Sequence, residues 1–104
     1  MHESIALQRN ALSALCRRFD IARLDIFGSA ARATDFDPAR SDADFLVKFK
    51  SDADEFSRFA DFQDALGALL GRPVDLVERG AIEASRNYIR RRRILEEAQE
   101  IHAA

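Results

Sequence analysis

The chain has 104 residues, of which 47% are hydrophobic and 33% charged, and its formal net charge is −2 at pH 7. This composition predicts one globular domain spanning residues 1–104, and so small a net charge excludes a global field that would attract nucleic acid. No run approaches the ~18 consecutive apolar residues that a membrane span requires, and residues 1–10 lack a secretory pattern. With a single cysteine, Cys16, no internal disulfide can form. We therefore expect a cytoplasmic protein without a membrane partner.

The first predicted elements are a helix, a strand and a second, short helix. A helix is predicted over residues 3–19, because apolar residues recur at separations of seven, three and four: Ile5, Leu12, Leu15 and Phe19. A short strand is predicted at residues 23–27, and it ends at Gly28 and Ser29. Gly28 permits a positive φ and Ser29 is a good helix cap, so a short helix is predicted at residues 30–33. A strand, a glycine turn and a helix start are, in outline, a phosphate-binding geometry.

The middle of the chain predicts a second strand and a second long helix. After a predicted loop at residues 34–41, a run of β-formers with acids at its start predicts the strand at residues 42–49. Residues 54–70 carry apolar residues at helical spacing and are followed by Gly71, a typical helix end. The aromatic residues of this helix are expected in the core: Phe56, Phe59 and Phe62.

The last third of the chain predicts a third strand at residues 73–77 and a final helix at about residues 85–102. The apolar side of this helix is expected to carry Tyr88, Leu95, Ala98 and Ile101. Helices alternating with three strands are typical of an α/β domain. The pattern leaves open whether neighbouring strands run parallel.

Three aspartates are the candidate catalytic and metal-binding residues. Asp42 and Asp44 lie two apart on a predicted strand, whose period of two points both carboxylates to one side. Two ionised carboxylates this close repel each other unless a cation compensates, which favours a site for Mg²⁺. Asp75 faces away from Val74 and Leu76 on its own strand and is the candidate for a third ligand. Such acids suit a two-metal site for phosphoryl transfer, provided that the fold brings Asp75 next to the other two.

A phosphate-bearing substrate would need further contacts near these acids. Gly28, Ser29 and the helix start after them offer backbone N–H groups, a hydroxyl and the positive end of a helix dipole. Arg32 lies one turn into that helix, where it either contacts a phosphate oxygen or is a solvated helix residue.

These motifs resemble the minimal nucleotidyltransferases, or MNT proteins, of the polymerase-beta-like superfamily. The resemblance rests on Gly28-Ser29-Ala30-Ala31-Arg32, Ser41-Asp42-Ala43-Asp44 and Val74-Asp75-Leu76-Val77. It implies a nucleotidyltransferase fold, with a three-stranded mixed sheet and flanking helices. It also implies that Gly28 and Ser29 contact the triphosphate, that Asp42 and Asp44 bind Mg²⁺, and that Asp75 completes the site. The stretch between Ser29 and Asp42 is longer than is usual in that family, which is expected to alter substrate access.

The resemblance also implies a reaction and a partner. ATP would be the substrate, two Mg²⁺ ions would be bound, and the chain would be an antitoxin that transfers AMP to a tyrosine hydroxyl of a partner HEPN toxin. The alternative is a non-catalytic binding module that neutralises the toxin by covering it. A third hypothesis is a subunit that modifies the end of a nucleic acid, although the sequence has no separate RNA-binding motif.

Four consecutive arginines at residues 90–93 are the strongest local concentration of positive charge. They are typical of a solvated helix face whose aliphatic stems cover the core, and a partner-binding role is the alternative. Four consecutive positions spread around a helix, so these arginines do not form a single stripe for nucleic acid.

Overall fold

Helices and strands alternate along the chain in the computed structural model, which describes residues 1–32, 37, 42–51 and 54–104. The elements in chain order are α1 (Glu3–Ala6), α2 (Arg9–Arg18), β1 (Ile21–Phe27), α3 (Ser29–Arg32), β2 (Ala43–Phe49), α4 (Glu55–Leu70), β3 (Val74–Glu78), α5 (Arg79–Glu83), α6 (Tyr88–Glu97) and β4 (Gln99–Ala103). The predicted end of the short helix at Ala33 lies outside the described residues, as does the predicted loop at 34–41 except for Asp37. None of the described helices is long and apolar enough to cross a membrane.

The strands form one mixed sheet in the order β3-β2-β1-β4. Strand β1 runs antiparallel to both β2 and β4, whereas β2 and β3 are parallel. The predicted α/β class and mixed sheet are confirmed, but the predicted number of strands is wrong, because the sheet has four. The additional strand, β4, pairs with the edge of β1 that faces away from β2. It thereby satisfies backbone groups that would otherwise remain unpaired.

The prediction of one continuous helix at residues 85–102 is therefore wrong. Helix α6 begins after Asn87, whose side chain accepts a hydrogen bond from the N–H of Arg90 at 3.1 Å, and it ends before Ala98, which has extended backbone angles. Tyr88 is 69% exposed rather than packed, whereas Ile94 is the buried residue of α6. Ile101 is buried from β4 instead.

The larger of two cores lies on the face of the sheet that is covered by α1 to α4. Its fully buried side chains include Leu12, Phe45, Phe62 and Leu66. The predicted first helix is divided into α1 and α2, yet its apolar stripe packs in this core as predicted. Phe56 was expected in the core but is 90% exposed, because it lies six residues before Phe62 and thus ~120° around the helix.

The smaller core lies on the opposite face, beneath α5 and α6. It consists of Phe27, Leu46, Ile82 and Ile94, with Val77, Leu95 and Ala98 packed against it. The same face carries Asp25, which is only 1% exposed. Its carboxylate accepts hydrogen bonds from Arg23 Nε at 2.8 Å and Arg79 Nη1 at 3.2 Å. The ion pair with Arg79 ties α5 to β1 in the sheet, a contact that no sequence motif predicts.

Candidate active site

Asp44 and Asp75 lie directly opposite each other on the parallel strands β2 and β3. Asp44 also lies opposite Phe27 on β1, and residues opposite each other in neighbouring strands point to the same side of a sheet. Both carboxylates therefore project from the face that carries the smaller core. As predicted, Val74 and Leu76 point to the other face, into the larger core.

The two carboxylates line a pocket of about 300 Å³ at one end of this face. Gly28 and Arg32 approach from the turn and short helix after β1, and α6 forms the opposite wall. A second, larger groove of about 490 Å³ lies between α2 and α4, behind the sheet, and is lined mainly by alanine and leucine. Because only the smaller pocket contains carboxylates among its lining residues, it is the candidate active site.

The pKa of Asp44 is raised from 3.8 to about 6. Burial of the carboxyl group is the largest cause, and the negative charges of Asp75 and Asp42 add to it, whereas Arg32 opposes the shift. Burial and neighbouring like charges both disfavour an ionised carboxylate, and a bound cation would reverse that effect. The local electrostatics of the pocket therefore favour a cation next to Asp44.

Gly28 shapes the pocket through its backbone. Its φ of 72° is in the left-handed region, and its carbonyl oxygen accepts hydrogen bonds from the N–H groups of Ala31 and Arg32, both at 3.1 Å. A Cβ atom at this position would collide with the carboxylate of Asp44. Glycine is thus required both for the turn and for the close approach of Asp44. Ser29 is the first residue of α3 and is half-buried.

Asp42 lies just outside this arrangement. It is exposed and precedes β2 by one residue, and its charge contributes to the raised pKa of Asp44. Within residues 1–32, 37, 42–51 and 54–104, no three side chains of His, Cys, Asp or Glu are grouped closely enough to hold a metal ion. The structure thus pairs Asp44 with Asp75 in the pocket and places Asp42 at its margin.

Arg32 lines the pocket, where it is paired with Glu97, a residue outside the sequence motifs. Its Nη1 atom lies 2.9 Å from each carboxylate oxygen of Glu97 on α6. Arg90 and Arg93 line the same wall as Glu97. Positions 90, 93 and 97 have the three- and four-residue spacing of one helix face, so the pattern was present in the sequence. What the sequence did not reveal is that this face points at Asp44 and Asp75.

The mixed sheet with its flanking helices is that of a nucleotidyltransferase fold, and the glycine turn and paired carboxylates form its candidate active site. The profile of the family described as "Nucleotidyltransferase domain" matches residues 9–101, and the chain belongs to this family. The chain is therefore a nucleotidyltransferase, as the sequence motifs predict. It is 39% identical over 69 residues to the "Putative protein adenylyltransferase" of Methanocaldococcus jannaschii, a match covering 66% of this chain and 67% of that protein.

Solved structures confirm the predicted resemblance to minimal nucleotidyltransferases. A "putative minimal nucleotidyltransferase" is 32% identical to this chain, with a TM-score of 0.72 over 95% of each chain. A complex of the "tri-AMPylated Shewanella oneidensis HEPN toxin" with MNT antitoxin includes a chain that is 17% identical, with a TM-score of 0.63. The match covers 95% of this chain and 72% of the other, and at this identity it shows a shared fold.

The residues of the pocket fit the divalent cation that nucleotidyltransferases generally use. Mg²⁺ is commonly bound through one or two carboxylates, and it takes its remaining ligands from water and substrate phosphates. The facing carboxylates of Asp44 and Asp75 meet this requirement. A bound cation would also offset the repulsion that helps to raise the pKa of Asp44.

Proposed function

We propose that this nucleotidyltransferase transfers AMP from ATP to a tyrosine hydroxyl of a partner HEPN toxin and thereby acts as an antitoxin. Residues 1–104 would work as a single minimal domain in the cytoplasm. The observation that carries the proposal is the facing pair of Asp44 and Asp75 beside Gly28, in a chain of this family. The relative named as a protein adenylyltransferase supports a protein acceptor, and the AMPylated HEPN toxin in complex with an MNT antitoxin supports a toxin.

In this proposal Asp44 and Asp75 hold Mg²⁺, and Asp42 contributes from the margin of the pocket, where two ions are expected. When bound, Mg²⁺ stabilises the negative charge that develops on the triphosphate. Asp75 is exposed on the pocket side of β3, so an incoming hydroxyl can reach it. This position allows Asp75 to accept the proton of the attacking hydroxyl.

Asp75 accepts the proton of the tyrosine hydroxyl as that oxygen forms a bond to the α-phosphorus. The bond between the α-phosphorus and the oxygen that bridges to the β-phosphorus breaks on the opposite side, and its electron pair leaves with pyrophosphate. Gly28 and Ser29 are the proposed backbone and hydroxyl contacts of the triphosphate. Arg32 would exchange the carboxylate of Glu97 for a phosphate oxygen, which is an equally good acceptor for a guanidinium group.

The direct test uses α-labelled ATP, Mg²⁺ and a purified HEPN protein as the acceptor. Three forms of the enzyme are compared: the unsubstituted protein, Asp44→Asn, and the control Asp64→Asn, which removes an exposed aspartate from α4 on the other side of the sheet. We expect label on a tyrosine of the HEPN protein with the unsubstituted protein and with Asp64→Asn, and none with Asp44→Asn.

Two other outcomes would contradict the proposal. Full labelling by Asp44→Asn would exclude the facing carboxylates as the catalytic site. A tight complex that contains no label, and that still neutralises the toxin when Asp44→Asn is used, would show a binding module that acts by covering its partner.

A further inference from the structure

Helix α6 brings positive charge to the wall of the pocket that faces the carboxylates. Arg90 and Arg93 both line the pocket that contains Asp44 and Asp75. They are three residues apart and therefore share one face of the helix. The run of four arginines in the sequence is thus divided by the fold, with only two members at the site.

The other two arginines of the run are engaged elsewhere. Arg91 donates from Nη1 to the carbonyl oxygen of Ser85 at 3.1 Å, and Arg92 pairs through Nε with Glu96 at 2.9 Å while remaining 80% exposed. Arg92 is therefore a control for the charge of the helix, because it carries the same group on the same helix outside the pocket.

The two α6 arginines of the pocket, Arg90 and Arg93, have few anions of their own. Arg93 lies 3.5 Å from Glu97 through Nε, a long contact at an exposed position. Within the described part of the chain, no acidic side chain pairs with Arg90. Apart from Arg32 and Glu97, which pair with each other, the pocket thus has two arginines on one wall and two carboxylates on the other. This arrangement suits a polyanion bound between the two walls. The arginines would bind the polyanion directly, whereas the carboxylates would contact it through a shared cation.

We propose that Arg90 and Arg93 bind the β- and γ-phosphates of the nucleoside triphosphate and so hold the pyrophosphate that leaves. This inference rests on the proposed nucleotidyl transfer, to which it adds the residues that select a triphosphate. The α-phosphate lies nearest Asp44 and Asp75, and the distal phosphates lie against α6. A guanidinium group presents a planar fork of donors that matches two phosphate oxygens, which explains why arginine occupies both positions.

The test measures binding to the full chain in Mg²⁺, with a non-hydrolysable ATP analogue, inorganic triphosphate and AMP as separate probes. Charge-assisted hydrogen bonds support an expected ~10- to 100-fold loss of affinity for the ATP analogue and for triphosphate in Arg90→Ala/Arg93→Ala. AMP affinity should change less than about twofold, because AMP lacks the distal phosphates. Arg92→Ala should bind all three probes like the unsubstituted protein. The variant Arg90→Gln/Arg93→Gln keeps polar side chains of similar length and should show the same losses if the alanine variant folds poorly.

Each alternative has its own result. Equal losses for AMP and the ATP analogue would overturn the assignment to the distal phosphates. Unchanged binding of the ATP analogue, with a higher KM for the acceptor protein, would mean that the arginines contact the acceptor and would also overturn it. If the unsubstituted protein binds no ATP analogue, the proposed function fails as well. If that protein binds the analogue and the arginine variants bind it equally well, only this inference fails.

Discussion

The two faces of the sheet differ in what they bury. One face packs apolar side chains such as Phe45, Phe62 and Leu66 against α2 and α4. The other has a much smaller core and carries the aspartates at positions 25, 44 and 75. A buried large apolar side chain contributes roughly 1.5–3 kcal/mol. The first face therefore supplies most of the folding free energy, and the second can carry neighbouring carboxylates that repel each other and lower stability.

Two aspartates on the second face show what separates a structural carboxylate from a candidate catalytic one. Asp25 is more deeply buried than Asp44, but Arg23 and Arg79 compensate its charge. The pKa of Asp44 is raised to about 6 by burial and by the neighbouring charges of Asp75 and Asp42, which Arg32 only partly offsets. Burial alone therefore does not mark the active site. The feature that distinguishes the candidate active site is a partly buried carboxylate whose negative charge the protein does not fully compensate, so that a ligand can do so.

The largest expected effect is on activity. Asp44→Asn should lower nucleotidyl transfer by at least about 100-fold, because the pocket loses one of the two facing carboxylates that are proposed to hold the cation. The metal-free protein should melt at the same or a higher temperature, because a repulsive charge is removed. Labelled transfer and thermal denaturation without Mg²⁺ measure the two effects.

Asp25→Asn is the matched variant, and its effects should be the reverse. It weakens the hydrogen bonds from Arg23 and Arg79, whose side chains are partly exposed and keep some hydration, so stability should fall by about 2–3 kcal/mol. Transfer per folded molecule should change far less than in Asp44→Asn. Equal stability losses in both variants would remove the distinction between a compensated and an uncompensated carboxylate.

The next prediction concerns stability and the face of the sheet that carries the larger core. Phe62→Ala should cost about 3–5 kcal/mol of unfolding free energy, because it leaves a cavity among fully buried side chains. Phe56→Ala, on the same helix, should change stability by no more than about 0.5 kcal/mol, because Phe56 is exposed. Urea denaturation measures both. A transfer rate per folded molecule that falls along with stability in Phe62→Ala would mean that the two faces are not separable.

A smaller effect on stability is expected at Gly28, in the turn between β1 and α3. Gly28 and Gly71 both have positive φ, of 72° and 65°, but only at Gly28 would a Cβ meet another group, the carboxylate of Asp44. Gly71→Ala should cost about 1–2 kcal/mol through backbone strain, with transfer unchanged. Gly28→Ala carries the same strain and also displaces Asp44, so it should be less stable than Gly71→Ala and lose transfer. Melting curves and labelled transfer distinguish them, and equal behaviour would contradict the proposed role of Gly28.

The smallest expected effect is a dependence of stability on pH. The pKa of Asp44 is about 6 in the folded protein against an ordinary value of 3.8, so the folded form binds more protons between these values. The contribution of Asp44 to stability is therefore most favourable below the lower pKa, decreases as pH rises from about 4 to about 6, and is constant above that. In metal-free protein, melting temperatures at pH 5 and 7 should differ less in Asp44→Asn than in the unsubstituted chain. Identical differences would show that another group is responsible.

The sequence alone was sufficient for the elements from β1 to β3 and for the family. The apolar spacing at residues 54–70 predicts α4 closely, since a helix of that length has one clear face to bury and Gly71 ends it. The sequence motifs also predict Gly28, Asp44 and Asp75 as site residues, and the structure brings these three into one pocket; their roles stay a prediction. Strand periodicity correctly placed Asp75 on the opposite side from its apolar neighbours.

Only the tertiary structure decided which groups meet. Residues 99–103 suit a helix or a strand, and the unpaired edge of β1 determined that they form β4. The approach of Arg90, Arg93 and Glu97 to the carboxylates depends on how α6 crosses the sheet, which no local pattern encodes. The pairing of Asp25 with Arg79, 54 residues away, has the same origin. Local sequence sets periodicity and turns through short-range sterics and burial, whereas partners distant in sequence are set by strand register and helix packing.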